Sequence, residues 1–585
     1  MHGVGGSPGP RLLGYDDESE TRVIATHDGV TIRERRNTAR GRVQGFDWGD
    51  LNSSSRVHAA WVFLAPFTLL NAAGWSMPRP ERAAQIVPMR LAHGLVTVLG
   101  WLLTLSAAAW IAEILIDIVG YQWLTARLVD GPAAGGGWDL GPWTVNFTLD
   151  SARITALVLS SATTMVLFIV GALLAGRTRR AIAEPRIDDH PFTRRSELTD
   201  RGFFSRRPSW AASTFFHLGM VACVIGATIL QGADAIAAGR ARTDADVTVA
   251  IVEAAQFSLL VLLLVVSLTI RLIFGAHGAG TGWALTAVAS VVTGAFLAGS
   301  ELWLLGVINP PDRVDPPVVG GWHLVPIDVY FWTVAAAVVI ALVAVASRGR
   351  LPGLPRACSA STTPLPPRWR RLVRNAQGTA RLIHKIDLFV FAFALAAVGV
   401  AVGFSVAAGT TLFERIRDGG VPPKPSGVVT DAAAWLLVAG VVFVVLRARK
   451  AASDNRTRRF IGQAWDALAF WPRRFHPFAI RPYTHIAVPA LRAHLEELQV
   501  EDPVLVSAHS QDSAIAAAAI LQMDDVARVG LVTYGSHLGT LYRRAFPSYF
   551  GPHQIRTLRD HLDFVRRPPW TRRPPLTRRP PLTPR

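Results

Sequence analysis

The chain has 585 residues and a formal net charge of +18, yet only 17% of its residues are charged and 50% are hydrophobic. An ordinary soluble domain carries about 25% charge, and here the apolar residues fall in runs of about 20, the length that crosses a ~30 Å hydrocarbon core. A purely soluble enzyme, a disordered chain and a fibrous protein are excluded, and a multi-pass membrane protein is expected.

Residues 1–57 are polar and carry eight arginines, so no secretory signal peptide is expected. The chain opens on the Gly-rich run His2-Gly3-Val4-Gly5-Gly6, and Arg42 to Trp48 alternates as a strand does. Segment 58–77 is apolar but short, and Pro66 and Asn71 interrupt it. Proline removes a backbone donor and kinks a helix, so this segment is expected to be re-entrant or interfacial. Eight crossings are then expected at roughly 92–119, 154–176, 210–232, 250–273, 283–307, 326–347, 386–408 and 430–447.

The connections between them alternate in charge. Loops 78–91, 177–209, 274–282 and 348–385 carry 21 Lys and Arg in all, against 8 in loops 120–153, 233–249, 308–325 and 409–429. Basic loops stay inside, so the first set, residues 1–57 and the stretch after 447 are expected in the cytoplasm. The net charge therefore reports membrane topology rather than nucleic-acid binding. Cys223 lies in an apolar run and Cys358 in a basic loop, so no disulfide is expected.

Residues 451–565 return to a soluble composition. Val504 to Ser507 reads as a short buried strand and an Ala-rich helix follows from Gln511, with Ala508-His509-Ser510-Gln511-Asp512 between them. A second strand follows at Val529 to Ser536. A serine on such a tight strand-to-helix turn exposes its hydroxyl. The next backbone N–H and the helix N-terminus can then stabilise an oxyanion.

This arrangement resembles the nucleophile elbow of lipase- and esterase-like α/β-hydrolases, and HGVGG resembles that fold's oxyanion motif. More closely, FDWGDLNSSSR (46–56), FWPRRFHPFAIRPY (470–483), the elbow and TYGSHLGTLYRRAFPSYFG (533–551) resemble actinobacterial membrane proteins in which a multi-pass segment is inserted within a hydrolase domain. The resemblance implies a mainly α chain: an N-terminal hydrolase-like fragment at 1–57, a membrane domain at 58–450, and a C-terminal hydrolase-like fragment with a parallel sheet at 451–565. It implies Ser510 as nucleophile, with the backbone N–H groups of Val4 and Gln511 as oxyanion donors. An ester or membrane lipid would be the substrate. The strand at 42–48 is expected to join the sheet containing 504–507 and 529–534, with Val504-Leu505-Val506 buried on both faces.

The sequence departs from that pattern at four places. Asp512 stands where the elbow has a small residue. No strand precedes HGVGG. The late acid and base are reduced to His553, Asp560, His561 and Asp563, since the chain stops about 75 residues after Ser510. Residues 566–585 dissolve into an Arg/Pro repeat, as a shifted reading frame would give; a disordered tail on anionic lipid is the other reading. The alternative to a hydrolase is a non-catalytic membrane protein, structural or transport-related. Glu113, Asp117, His217, Glu253 and Glu301 in the apolar runs are the residues such a role would use. No Walker motif or metal-ligand spacing occurs, so no cofactor or metal is expected, and no nucleic-acid partner.

Overall fold

The computed structural model describes residues 21–27, 30–35, 43–48, 51, 64–78, 86–130, 137–139, 144–146, 148–176, 198–204, 210–237, 325–347, 367–418, 446, 465–526 and 528–562. Helix predominates among them. In chain order they form strands β1 (Thr21–His27), β2 (Val30–Arg35) and β3 (Val43–Asp47), then helices α1 (Ala65–Ser76) and α2 (Ile86–Ala112). A π-helical continuation, Glu113–Leu124, leads to α3 (Thr125–Asp130). The short strands β4 (Gly137–Asp139) and β5 (Thr144–Asn146) precede α4 (Leu149–Gly176) and α5 (Trp210–Ala237). Next come α6 (Val325–Ser347), α7 (Pro367–His384) and α8 (Ile386–Asp418). The C-terminal part holds α9 (Thr484–Glu501), β6 (Val504–His509), α10 (Asp512–Leu521), β7 (Val529–Tyr534) and α11 (Pro552–His561).

Among the described residues three helical stretches are long and apolar enough to cross a membrane: Val87–Ile116, Ser151–Leu173 and Ile386–Gly403. The segments expected at 210–232 and 326–347 are helical in α5 and α6. Those expected at 250–273 and 283–307, and all of 430–447 except residue 446, lie outside the described residues. So do Glu253 and Glu301. Glu113 and Asp117 fall on the π-helical stretch, four residues apart. Gly120 on the same stretch lets α4 approach, since a Cβ there would stand 2.4 Å from Ser160 Oγ.

Helix α1 has 12 residues, about 18 Å of rise, and is too short to cross a hydrocarbon core. Pro66 sits in its first turn, where a missing N–H costs nothing. The helix is instead buried against residues 471–480, an irregular stretch that needs partners for its backbone. Asn71 supplies them. Its Nδ2 donates to Pro472 O at 3.0 Å, and its Oδ1 accepts from the amides of Arg474 (2.9 Å) and Phe475 (3.1 Å). Trp75 Nε1 donates to Pro472 O at 2.7 Å, and Thr68 Oγ1 accepts from the Ile480 amide at 3.1 Å. Gly74 leaves room for the Phe475 ring, whose carbons would lie 2.3 Å from a Cβ.

His476 carries the same stretch against α2 and α5. The Phe478 amide donates to His476 Nδ1 at 3.2 Å, which places the ring's proton on Nε2. Nε2 lies 3.0 Å from Thr104 Oγ1, and Thr104 Oγ1 lies 2.7 Å from His217 Nδ1. Gly100 O lies 3.2 Å from His476 Nε2 and 3.3 Å from Thr104 Oγ1, so the His476 N–H is shared between a hydroxyl and a backbone carbonyl. Burial pushes the His476 pKa down to about 3, so the ring is neutral at physiological pH.

The strand expected at 42–48 forms as β3, but it does not join the sheet of 504–507 and 529–534. It pairs antiparallel with β2, which pairs antiparallel with β1, in a separate three-stranded sheet. Strands β6 and β7 pair parallel with each other, from Val504↔Val529 to His509↔Tyr534. Nor is this pair buried on both faces: Leu505 on β6 is 53% exposed and Val532 on β7 48%. Among the described elements α10 packs on this pair, and its short Ala side chains let it come close, with Ser513–Leu521 all buried. The N-terminal sheet meets the C-terminal part through side chains instead. Val30 and Trp48 belong to the same apolar core as α9, α10 and residues 465–483, and Gln44 Oε1 lies 2.7 Å from His494 Nε2.

Residues 198–204 also dock there. Arg201 pairs with Glu496 at 2.7 Å and Asp524 at 2.8 Å, while Phe203 and Phe204 pack on Trp75 and Phe470.

Asn71→Leu keeps the branched heavy-atom skeleton but strands two backbone donors, each costing about 1–3 kcal/mol when buried. Thermal unfolding of the purified protein in detergent should show a loss of about 2–4 kcal/mol. An unchanged transition would refute the role given to Asn71.

Candidate active site

The parallel ladder of β6 and β7 runs one step past the strand, where the Ser510 amide donates to Tyr534 O at 3.1 Å. There the chain reverses. Ser510 has φ +52, and no other non-glycine among the described residues has a positive φ. A left-handed serine costs on the order of 1–3 kcal/mol and persists only where the surroundings enforce it. Helix α10 starts at once, with the Ala514 amide on Gln511 O at 2.9 Å and the Ser513 amide on Ser510 O at 3.3 Å. Ser510 thus stands half-exposed at the apex of a strand–turn–helix, at the positive end of α10.

The groups around it are fixed from several directions. Gln511 is buried, and its Nε2 donates to the hydroxyls of Tyr483 and Tyr542, each at 2.5 Å. Tyr483 in turn donates to Asp466 O at 3.0 Å. With its side chain pointed inward, Gln511 leaves its backbone N–H without an acceptor among the described residues. Asp512, the residue that departs from the elbow pattern, accepts a 2.9 Å hydrogen bond from Trp48 Nε1. Trp48 is 1% exposed and stacks on Tyr483 with ring centres 4.6 Å apart. A buried indole N–H needs an acceptor, and Asp512 provides it.

His509 is exposed and lies against Tyr534, with ring centres 4.9 Å apart. Gly535 follows at φ +58, where a Cβ would come within 3.0 Å of His509 Nε2. This glycine is required by both its backbone angle and its neighbour. Among the described residues no side chain hydrogen-bonds to Ser510 Oγ, and neither His509 nor His553 reaches it. His553 and Asp560 are exposed on α11, which packs on α10 and on residues 547–550. Val4 and Asp563 lie outside the described residues. Among the described residues no group of three His, Cys, Asp or Glu could hold a metal ion.

Trp48 and Tyr483 pack beside the candidate site, and composition and periodicity did not single them out, although both lie in stretches quoted above for the resemblance. The chain matches no protein-family model, no curated protein and no solved structure.

Burial raises the pKa of Tyr483 and of Tyr542; Asp466 adds to both and Tyr542 adds to that of Tyr483, while the hydrogen bond from Gln511 works against both shifts. Above pH ~10 an unfolded tyrosine loses its proton while these two keep theirs. The unfolded state then binds fewer protons, so their contribution to stability falls as pH rises. Denaturant titrations from pH 9 to 12 should show a shallower decline for Tyr483→Phe/Tyr542→Phe than for the parent. Equal slopes would contradict the assignment.

Proposed function

We propose that this is an integral membrane protein carrying a serine α/β-hydrolase-like unit, lipase- or esterase-like in kind, with Ser510 as its nucleophile. The backbone at Ser510 carries the reading: a positive φ at the end of a parallel strand, a helix capped by the next residue, and an N–H on Gln511 with no acceptor among the described residues. An acyl oxygen placed beside Ser510 would meet that N–H and the positive end of α10. Three helices long and apolar enough to cross a membrane, two of which belong to the same apolar core as the unit, favour an ester or lipid drawn from the bilayer.

A serine hydroxyl needs a base within about 2.6–3.2 Å, and the described residues offer none. Loss of the base in comparable triads costs on the order of 10⁶ in kcat, leaving about 10³–10⁴ over water. Asp512 places a negative charge beside the developing oxyanion and lowers that remainder. The described residues alone therefore support slow turnover. That same lack of a base favours the second reading, a non-catalytic membrane protein, structural or transport-related, whose hydrolase-like unit is degenerate.

A fluorophosphonate probe on the full membrane-inserted chain separates the readings. Slow labelling that needs folded protein and vanishes in Ser510→Ala is expected. Rapid stoichiometric labelling would reveal a base beyond the described residues, and no Ser510-dependent labelling would establish the non-catalytic reading.

The charge distribution of the loops supports eight crossings with both ends in the cytoplasm. Val23 is 54% exposed, so Val23→Cys, with Cys223 and Cys358 changed to Ser, should react with an impermeant maleimide only after the membrane is opened. Labelling of intact cells would overturn this topology.

A further inference from the structure

Helix α7, residues Pro367–His384, lies in what the sequence pattern marks as a loop. Lys385 hydrogen-bonds back to Arg381 and Leu382, and the Leu388 amide donates to Lys385 O. One turn therefore joins α7 to the apolar stretch Ile386–Gly403. A helix that runs directly into such a stretch starts at its polar end.

Its residues divide by helical spacing. Trp369, Leu372, Val373, Ala376, Ala380 and Ile383 recur at the three- and four-residue intervals of one side. Arg370, Arg374, Arg381 and Lys385 fall on the other. From Arg348 to Ile386 the chain contains no Asp or Glu.

The two ends of the helix differ in their surroundings. Ile383 packs on the common apolar core, and α7 meets Arg543–Ala545. Val373 is 38% exposed, and Ala376 is exposed too. The protein thus covers the C-terminal end of the apolar side, leaving Val373 and Ala376 exposed.

We infer that α7 lies in the plane of the membrane and binds anionic phospholipid head groups. Its apolar side enters the acyl boundary beside Ile386, and its arginines reach the phosphates. Charge and continuity choose this occupant. A soluble acidic protein would satisfy the arginines, but it would have to reach a helix whose end is already held at the bilayer by the following stretch. An amphipathic helix with a basic polar side and low net hydrophobicity is the form that lies in the interface. Basic clusters immediately cytoplasmic of a membrane segment attract anionic lipid. This inference uses the membrane setting proposed above but not the chemistry at Ser510.

The test uses the full chain, with Cys223 and Cys358 changed to Ser, Val373→Cys carrying an environment-sensitive fluorophore, and reconstitution into vesicles of phosphatidylcholine with one-fifth phosphatidylglycerol. Bromination is placed on the acyl chains of one lipid at a time. Per molecule, brominated phosphatidylglycerol should quench at least about threefold better than brominated phosphatidylcholine, since each basic residue near the surface attracts anionic lipid. Changing Arg370, Arg374 and Arg381 to Gln, a good helix former, should lower the ratio while quenching by phosphatidylcholine persists, and an unchanged ratio would overturn the role given to these arginines. Equal quenching by the two lipids in the parent would overturn the head-group preference. No quenching by either would place the helix off the membrane and overturn the inference entirely. Activity at Ser510 is not read, so failure here and failure of the hydrolase reading are separate results.

Discussion

The arrangement depends on one constraint: residues 471–480 carry unpaired backbone groups into an apolar bundle. An unsatisfied peptide group in such surroundings costs several kcal/mol, so the stretch can sit there only if side chains complete its hydrogen bonds. Asn71 does most of this, accepting two amides and donating to a carbonyl, with Thr68 and Trp75 completing the set. Helix α1 is thereby fixed as a short buried helix rather than a crossing. Because Tyr483 and α9 follow directly, the same bonds set where the candidate site lies relative to the long apolar helices.

The site is rigid for reasons that begin away from Ser510. Gln511 could turn its side chain toward solvent, but two buried tyrosine hydroxyls hold it inward. Asp512 could repel an incoming anion freely, but the Trp48 indole draws on its charge. The left-handed serine is then followed by two residues whose side chains are held in place. What this surround does not contain, among the described residues, is a proton acceptor for the hydroxyl.

Much of this layout was legible in the sequence, and the exceptions have physical causes. Strand 43–47, the turn at Ser510, the helix after Gln511 and the shortness of α1 followed from period and from proline and asparagine placement. Strands β1 and β2 read as polar because Arg22, Arg33, Glu34 and Arg35 break up their apolar pattern, although Asp28-Gly29 between them is a hairpin signal. Pairing of β3 could not be read, because alternation marks a strand but not its partner. The one-sided burial of β6 was missed because an all-apolar triplet reads the same whether one face or two are covered. Helix α7 was hidden by its arginines, which were counted for topology before their three- and four-residue spacing was considered. Asp512 looked like a defect since its partner Trp48 is 464 positions away.

That separation also dictates an order of events during synthesis. The Trp48–Asp512 bond closes a loop of 464 residues, and closing a loop by diffusion becomes slower as the chain between its ends lengthens. Helices inserted one after another would shorten the effective path, since each returning helix brings the chain back toward its start. Until residue 512 leaves the ribosome, Trp48 is without the carboxylate that its indole N–H meets in the folded protein. The emerging N-terminal sheet is then an open hydrophobic surface for the whole time the helices are being placed, and the interval in which a chaperone has something to hold ends only when β6 and α10 arrive.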